Sequence, residues 1–218
     1  AQVFDDMLSR SVPFYGEIQR MVAELAEDIV QPGSNVYDLG CSTGTTLLML
    51  DRTLPMDVNF VGVDDSHEML VKCESKLREH QVKRKVELQC TDLHLGVDMK
   101  DASLALMVLT LQFLRPLHRE RLIADVFKGL RENGGLILVE KVLGEDSHFN
   151  RLFIKHYYDF KRRNGYSETE IAQKREALEN VLIPYKLLEN RELLLKSGFR
   201  YVDVFFKWYN FCGIVAIK

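Results

Sequence analysis

Cysteine is scarce in this chain, and its distribution excludes one common kind of metal site. The 218 residues include four cysteines, which stand far apart and form no C-x-x-C pair. A zinc site built on paired cysteines is therefore not expected, and no metal is predicted. Cys41, Cys90 and Cys212 lie in apolar or loop contexts, which are typical of reduced intracellular thiols.

The chain also lacks a strong net charge and a long apolar run. Its formal charge is −3 at pH 7, so there is no general electrostatic reason to expect direct nucleic-acid binding. The basic clusters at 83–85 and 161–163 are interpreted as solvated surface. No stretch is apolar enough to cross a membrane and no signal peptide is visible, so we expect a cytoplasmic protein without a membrane partner.

What is present predicts one globular domain over residues 1–218. Hydrophobic residues make up 46% of the chain, which together with the length allows a sizeable core. Alternating helix and strand patterns with continuous apolar runs predict an α/β fold, with a mostly parallel sheet covered by helices. After a first strand near residue 36, the predicted elements are helix 43–53, strand 58–64, helix 66–80, strand 85–90, strand 103–109, helix 117–131 and strand 135–141.

The two ends of the chain extend this pattern. Residues 1–30 predict an N-terminal helical cover, which is broken at residues 11–13. Residues 201–218 predict two strands joined near residues 208–210. Such a pair would form an antiparallel hairpin at the edge of the sheet.

The segment 145–190 departs from the alternation because it is long, charged and helical in pattern. Ser167 and Glu170 stand at the spacing of a capping box, which marks the start of a helix. We expect this inserted helical segment to cover the active site or to form an oligomer surface.

The segment 36–45, Val-Tyr-Asp-Leu-Gly-Cys-Ser-Thr-Gly-Thr, is the most informative motif. It predicts a strand, a tight loop and a helix N-terminus, where backbone N–H groups can approach a ligand. The spacing Gly40-x-x-x-Gly44 does not match the dinucleotide fingerprint, and no Gly-Lys-Ser/Thr follows for a phosphate loop. Asp38 would repel phosphate but could help to hold a cationic ligand. The pattern resembles motif I of the class I methyltransferases, whose Rossmann-like fold binds S-adenosylmethionine (SAM).

Further acids support this resemblance. Asp64 and Asp65 end the second predicted strand roughly 20 residues after the loop, where Rossmann-like folds contact ribose hydroxyls. Asp92 ends the next predicted strand, where class I methyltransferases bind the adenine amine. Each Asp alone could be a helix cap, but three strand ends in order favour SAM binding.

The residues by themselves do not identify the second substrate. The histidines at 67, 94, 118, 148 and 156 do not cluster in sequence, and methyl transfer can proceed by orientation alone. A conventional methyltransferase acting on a small molecule or tRNA, and a non-catalytic SAM-binding protein, both stay open at this point.

Nearly the whole chain resembles the carboxy-S-adenosylmethionine synthase family. The motifs that carry the resemblance are Gln2-Val3-Phe4-x-Asp6-Met7 after Ala1, Arg10-Ser11-Val12-Pro13-x-Tyr15, residues 36–42, Thr110-Leu111-Gln112-Phe113-Leu114, 159–167 (Asp-Phe-Lys-Arg-x-Asn-Gly-Tyr-Ser) and 173–181 (Gln-Lys-Arg-x-x-Leu-Glu-Asn-Val). The last two lie outside anything that generic SAM binding requires.

The resemblance implies that SAM and prephenate are converted to carboxy-SAM and phenylpyruvate, and that carboxy-SAM serves the cmo5U modification of the tRNA wobble uridine. It also implies a homodimer, with the segment 145–190 as its interface, and a functional link to a tRNA carboxymethyltransferase. By the same resemblance, Arg175 receives the new carboxylate and Tyr15 lies near the sulfonium. The implied ligand contacts are Tyr15, Asp38, Gly40, Cys41, Ser42, Asp64, Asp65, Asp92, Leu93, Val108 and Arg175.

The chain departs from the family pattern at three places. Val108 stands where the family has Asn, so one polar contact to the ligand is expected to be lost or taken over by water. Asp65 stands where Asn is familiar and adds a charge near the ribose. A family segment upstream of Ala1 is absent from this sequence.

Overall fold

The computed structural model describes residues 2–218, with side chains from residue 6 onward. Ala1, the first residue of the predicted N-terminal cover, lies outside the described residues. The strands are β1 (Asn35–Leu39), β2 (Asn59–Asp64), β3 (Val86–Cys90), β4 (Ala102–Val108), β5 (Leu130–Lys141), β6 (Tyr201–Trp208) and β7 (Phe211–Ile217). The helices are α1 (Gln2–Ser11), α2 (Tyr15–Ile29), α3 (Thr45–Asp51), α4 (His67–Glu79), α5 (Pro116–Gly129), α6 (Ser147–Arg163), α7 (Glu168–Leu178) and α8 (Leu187–Lys196).

The seven strands form one sheet in the order β3-β2-β1-β4-β5-β7-β6. The first five are parallel, and β7 runs antiparallel to both β5 and β6. The predicted fold class is confirmed, including the C-terminal hairpin, whose strands join at Tyr209 and Asn210. The strand order reverses between β1 and β4, and ligands of open α/β sheets bind at such a switch point.

Helices pack on both faces of the sheet, which explains its continuous apolar strands. Six of the seven residues of β4 are buried, as expected for a central parallel strand covered on both sides. One core cluster joins the sheet to α5 and α8 through residues such as Leu122 and Leu194. The other cluster joins the opposite face to α2, α3 and α4 through residues such as Val22 and Leu47.

Two predicted boundaries need correction. The helix predicted over 117–131 ends earlier, at Gly129. The turn predicted at Asn133 falls within the residue range of β5, which begins at Leu130. The reason is that Leu130 already pairs with Ala102, and the register then shifts so that Leu104 pairs with Gly135. The intervening residues loop out around Asn133, whose φ of 60° is left-handed.

The predicted helical segment 145–190 consists of α6, α7, a non-helical stretch and the first four residues of α8. The capping box is present, because Ser167 accepts a hydrogen bond from the backbone N–H of Glu170 and the Glu170 side chain accepts from that of Ser167. After α7 the chain turns at Asn180, with φ 60°, and returns to pair Lys186 with Leu143. The helix α8 was not predicted.

Candidate functional site

A cavity of about 830 Å³ opens at the carboxyl ends of the five parallel strands. Its size lies within the range of about 300–1,000 Å³ that small-molecule sites occupy. The strand ends and the loops that follow them form one side of the cavity. Residues of α1, α2, α6 and α7 line the other side, so the two helical segments that flank the sheet cover the site.

The loop between β1 and α3 packs so closely that only glycine fits at its start. Gly40 has a φ of +84°, and a Cβ there would lie 2.3 Å from Thr110 Oγ1. The backbone N–H groups of Gly40 and Cys41 both donate to the Val63 carbonyl, at 2.7 and 3.0 Å. The loop is therefore held against the chain ends of β2 and β4, at the edge of the cavity.

Asp64, the last residue of β2, joins two neighbouring loops. Its Oδ2 accepts a hydrogen bond from the Ser42 backbone N–H at 2.9 Å, and its Oδ1 accepts from that of Ser66 at 3.0 Å. A carboxylate can accept about four hydrogen bonds, so Asp64 keeps capacity for a ligand hydroxyl. Asp65 follows it, is exposed and also lines the cavity.

Asp38 is the buried acid of the site, with 2% of its surface exposed. Burial and, secondarily, the charge of Asp64 raise the pKa of Asp38 to about 7. A neighbouring cation would favour the charged carboxylate and offset this effect. This end of the cavity is therefore suited to a positively charged ligand group.

Asp92 follows β3 and caps the short 3₁₀ helix Leu93–Leu95. Its Oδ1 lies 2.8 Å from both the backbone nitrogen and the ring Nδ1 of His94, and hydrogen bonds from His94 lower the pKa of Asp92. The carboxylate thus stays charged near neutral pH. Leu93 is buried beside it and lines the same wall.

Tyr15 and Val108 line the cavity from two different elements. Tyr15 is the first residue of α2, and the preceding Phe14 has a left-handed φ of 55° that turns the chain from α1. Val108 is the last residue of β4, and the next residue, Leu109, has a φ of 61°. Val108 presents only methyl groups to the cavity, where an Asn would offer an amide.

Arg175 lies on α7 and reaches the cavity from its exposed side. Among the residues that the structure describes, no carboxylate forms an ion pair with Arg175, although Glu176 and Glu179 are near it in sequence. Its guanidinium is therefore available to an anionic ligand group.

The structure brings all the predicted ligand contacts to this one cavity. Its lining includes Tyr15, Asp38, Gly40, Cys41, Ser42, Asp64, Asp65, Asp92, Leu93, Val108 and Arg175. The thiol of Cys41 is buried, and a hydrogen bond with Cys73 together with burial raises its pKa. Cys41 is thus a neutral packing residue near neutral pH.

Three lysines in the cavity were missed by the sequence reading; Lys141, Lys161 and Lys174 are called the lysine cluster below. The interpretation of residues 161–163 as solvated surface is wrong for Lys161, which is 6% exposed. Lys161 follows Tyr157 by one helical turn and shares its inward face, whereas Arg162 points outward to pair with Glu168. Helical spacing from the aromatic residues could have signalled this difference.

Glu140 was also missed, although it shapes the site. It is 2% exposed, and its two oxygens accept hydrogen bonds from the backbone N–H groups of Leu111 and Gln112, at 3.0 and 2.8 Å. Burial raises the pKa of Glu140 to about 8. This contact fixes the short helix after β4, and an acid at the end of an apolar strand was its signal.

The described residues contain no group of three or more His, Cys, Asp or Glu side chains that could hold a metal ion. None of the helices in this part of the chain has the length and apolar character needed to span a membrane.

Comparison with known proteins first defines the class. A family model described as a methyltransferase domain matches residues 36–134. A solved SAM-dependent methyltransferase from Aquifex aeolicus superposes with a TM-score of 0.62 at 16% identity, over 97% of this chain and 92% of that one. The fold class is that of the SAM-dependent methyltransferases.

Two curated relatives narrow this class to a family. A carboxy-S-adenosyl-L-methionine synthase from Methylococcus capsulatus is 65% identical over all of this chain and 90% of its own length. Another from Helicobacter pylori is 42% identical over all of this chain and 91% of its own length. The chain belongs to the carboxy-S-adenosyl-L-methionine synthase family, and it is an enzyme that uses SAM.

Proposed function

We propose that this protein converts SAM and prephenate to carboxy-SAM and phenylpyruvate. The observation that carries the proposal is the division of charge in the cavity. Four acids, Asp38, Asp64, Asp65 and Asp92, lie at the ends of β1 to β3, and four cations, the lysine cluster and Arg175, lie towards β5, α6 and α7. The basic side also holds one acid, the exposed Glu179 that follows α7. A cation such as SAM and an anionic second substrate could therefore bind side by side.

The acidic half fits SAM by the chemistry of its groups. Carboxylates accept hydrogen bonds from ribose hydroxyls and from amines, which supports Asp64 and Asp65 as ribose contacts and Asp92 as an adenine contact. The loop Gly40–Ser42 allows close approach of the amino-acid part of the ligand. The positive charges of SAM favour the ionised form of Asp38.

The reaction balances without a metal or a redox partner. Prephenate, a dianion, would release carbon dioxide and hydroxide to give phenylpyruvate. The hydroxide would take a proton from the sulfonium methyl, and the resulting ylide carbon would bond to carbon dioxide, leaving water. Arg175 would bind the new carboxylate bidentately, and Tyr15 would help to exclude water from the reacting carbon.

The test is a turnover assay with mass spectrometry of the nucleoside product. Purified protein with SAM and prephenate should form equal amounts of phenylpyruvate and a species heavier than SAM by one carbon dioxide. Arg175→Met should lower kcat/KM by about 10-fold or more, the range of a charge-assisted hydrogen bond, and Arg175→Lys should recover part of the loss. Formation of S-adenosylhomocysteine with a methylated acceptor would contradict the proposal.

We extend the proposal to the protein's setting. The chain would be a single SAM-binding domain over residues 1–218, acting in the cytoplasm and supplying a tRNA carboxymethyltransferase. Exposed apolar residues such as Phe149, Leu152 and Val181 support the segment 145–190 as a homodimer interface, because large exposed apolar patches often mark partners. Light scattering should give twice the monomer mass, and Phe149→Asp should reduce it.

A further inference from the structure

The lysine cluster has no anionic partner. Within the part of the chain that the structure describes, no Asp or Glu forms an ion pair with any of its three ammonium groups. The nearest acid is Glu170, one helical turn before Lys174, and it interacts with Lys174 through charge alone. Lys141 Nζ and Lys161 Nζ both lie against the ring of Tyr157, at 4.7 and 4.9 Å from its centroid. Lys174 Nζ donates to the Tyr166 hydroxyl at 2.9 Å.

These lysines differ from the other buried cations of the fold. Arg84 pairs with Asp51 at 2.6 Å and also donates to several carbonyls. Arg119, which is 1% exposed, donates to the carbonyls of Leu114 and Ile183 at 2.8 and 2.6 Å. A buried cation without such partners is costly, so the Lys161 ammonium needs a function or a ligand.

A second, independent observation comes from Asn210, in the turn between β6 and β7. Its side chain is 1% exposed and lines the cavity, yet neither its amide nitrogen nor its amide oxygen has a hydrogen-bond partner. Buried polar groups are almost always paired. Asn210 lies beside Phe211, which pairs with Lys141 across β5 and β7, so its unpaired amide belongs to the same side of the cavity as the lysine cluster.

SAM cannot balance these groups. It carries one carboxylate against two positive charges, and the acids that suit its positive charges lie at the opposite side of the cavity. Three ammonium groups and Arg175 face one acid on this side, the exposed Glu179, so an excess of positive charge is left after SAM has bound. A second ligand with at least two negative charges would neutralise this excess.

We propose that the lysine cluster and Asn210 form the binding site for the two carboxylates of a small dicarboxylate co-substrate. The inference rests on the proposed function and deepens it, since it assigns residues to the second substrate. Lys161 lies between the other two lysines, because its ammonium contacts the rings of both Tyr157 and Tyr166. It would bridge the carboxylates, with Lys141 and Lys174 on either side and the Asn210 amide as a donor.

The dry aromatic lining supports this assignment. Tyr157 and Tyr166 are buried at 7% and 5% exposure, and burial together with the charges of Lys141 and Lys174 lowers the pKa of Lys161 to about 8. In a site of low dielectric an ammonium–carboxylate contact is stronger than in water. The arrangement would hold the leaving carboxylate beside the sulfonium methyl without admitting solvent.

The experiment compares Lys161→Met and Lys174→Met with wild type in prephenate turnover and in SAM binding by calorimetry. Lysine and methionine have similar length, so packing is retained. Each variant should lower kcat/KM for prephenate at least 10-fold, with the SAM Kd unchanged within about 2-fold. Lys161→Arg should recover part of the activity. Lys155→Met is the matched control, because Lys155 is exposed on the same helix and does not line the cavity.

Near-wild-type kcat/KM for prephenate in both methionine variants would overturn the inference. Thermal unfolding shows whether the variants are folded. Their melting temperatures should equal or exceed that of the wild type, because an unpaired buried charge has been removed. If wild type does not consume prephenate, the proposed function fails instead. The site is then tested by titrating SAM-bound protein with malonate, where equal affinity for wild type and Lys161→Met would exclude a dicarboxylate site.

Discussion

The Ser11 hydroxyl and the Tyr166 hydroxyl are hydrogen-bonded at 2.7 Å. Ser11 ends α1, and Tyr166 lies between α6 and α7, so this contact joins the N-terminal helix to the segment that carries Lys174 and Arg175. Because Lys174 donates to the Tyr166 oxygen, the phenolic proton can be given to Ser11. The N-terminal helix and the segment 145–190 therefore form one connected wall of the cavity.

Tyr166→Phe should destabilise the protein by about 0.5–1.5 kcal/mol, since it removes the part-buried hydrogen bond between the Tyr166 and Ser11 hydroxyls. Ser11→Ala and the double variant complete a double-mutant cycle, in which the free energy of unfolding is measured in urea. The coupling energy between Ser11 and Tyr166 should be about 0.5–1.5 kcal/mol. Additive effects of the two substitutions would show that the contact does not stabilise the wall.

Gly40→Ala should be much more harmful than Gly165→Ala. The two glycines have φ angles of +84° and +83°, but a Cβ meets Thr110 at Gly40 and nothing within 4 Å at Gly165. Gly165→Ala should therefore destabilise the protein by only about 1–2 kcal/mol, because alanine must adopt the left-handed backbone conformation there. Gly40→Ala adds a steric clash of about 1–3 kcal/mol and should abolish SAM binding in calorimetry. Equal effects would mean that the contact with Thr110 is relieved by movement of the loop.

SAM affinity should rise as pH increases from 6 to 7.5. The pKa of Asp38 in the free protein is about 7, and a cationic ligand prefers the charged carboxylate, so binding at pH 6 must release a proton. The Kd should fall by up to about 10-fold per pH unit over the lower part of this range. In Asp38→Asn the Kd for SAM should be higher and nearly independent of pH. If this variant keeps the pH dependence of the Kd, Asp38 is not its cause.

The stability of the free protein should contain a contribution from Lys161 that increases with pH. The folded pKa of Lys161, about 8, is below the ordinary value of 10.5, so the unfolded chain binds more protons between these values and stability rises across this interval. Other groups titrate there too, so the measured quantity is the difference from Lys161→Met in urea unfolding between pH 7.5 and 10. A bound dicarboxylate should reduce the difference, because it favours the charged ammonium.

The sequence predicted the acidic half of the cavity better than the basic half. Asp38, Asp64 and Asp92 each end an apolar strand, and parallel strands bring their carboxyl ends to one edge, so local pattern and topology were sufficient. Lys161 and Lys174 lie in charged helices, where helical spacing can group Lys161 with Tyr157 but does not say which face of the helix covers the cavity. Their inward orientation depends on how α6 and α7 fold back over the sheet, which is set by tertiary contacts such as Ser11 with Tyr166.

Local sequence propensity also predicted the start of β5 wrongly, because that boundary depends on pairing with a neighbouring strand. The residues around Asn133 have the composition of a turn, and they do loop out, but Leu130 had already joined the sheet. Asn210 read as an ordinary turn residue, because only the packed structure shows that its amide is buried without a partner.

The two sides of the cavity come from different parts of the chain. The acidic wall is encoded by residues 35–95, within one continuous stretch, whereas the lysine cluster and Asn210 come from residues 141–210. The matched methyltransferase domain ends at residue 134, before the first of these lysines. Substitutions downstream of β4 alone can therefore remodel the lysine cluster and Asn210, while every residue of the acidic side stays the same.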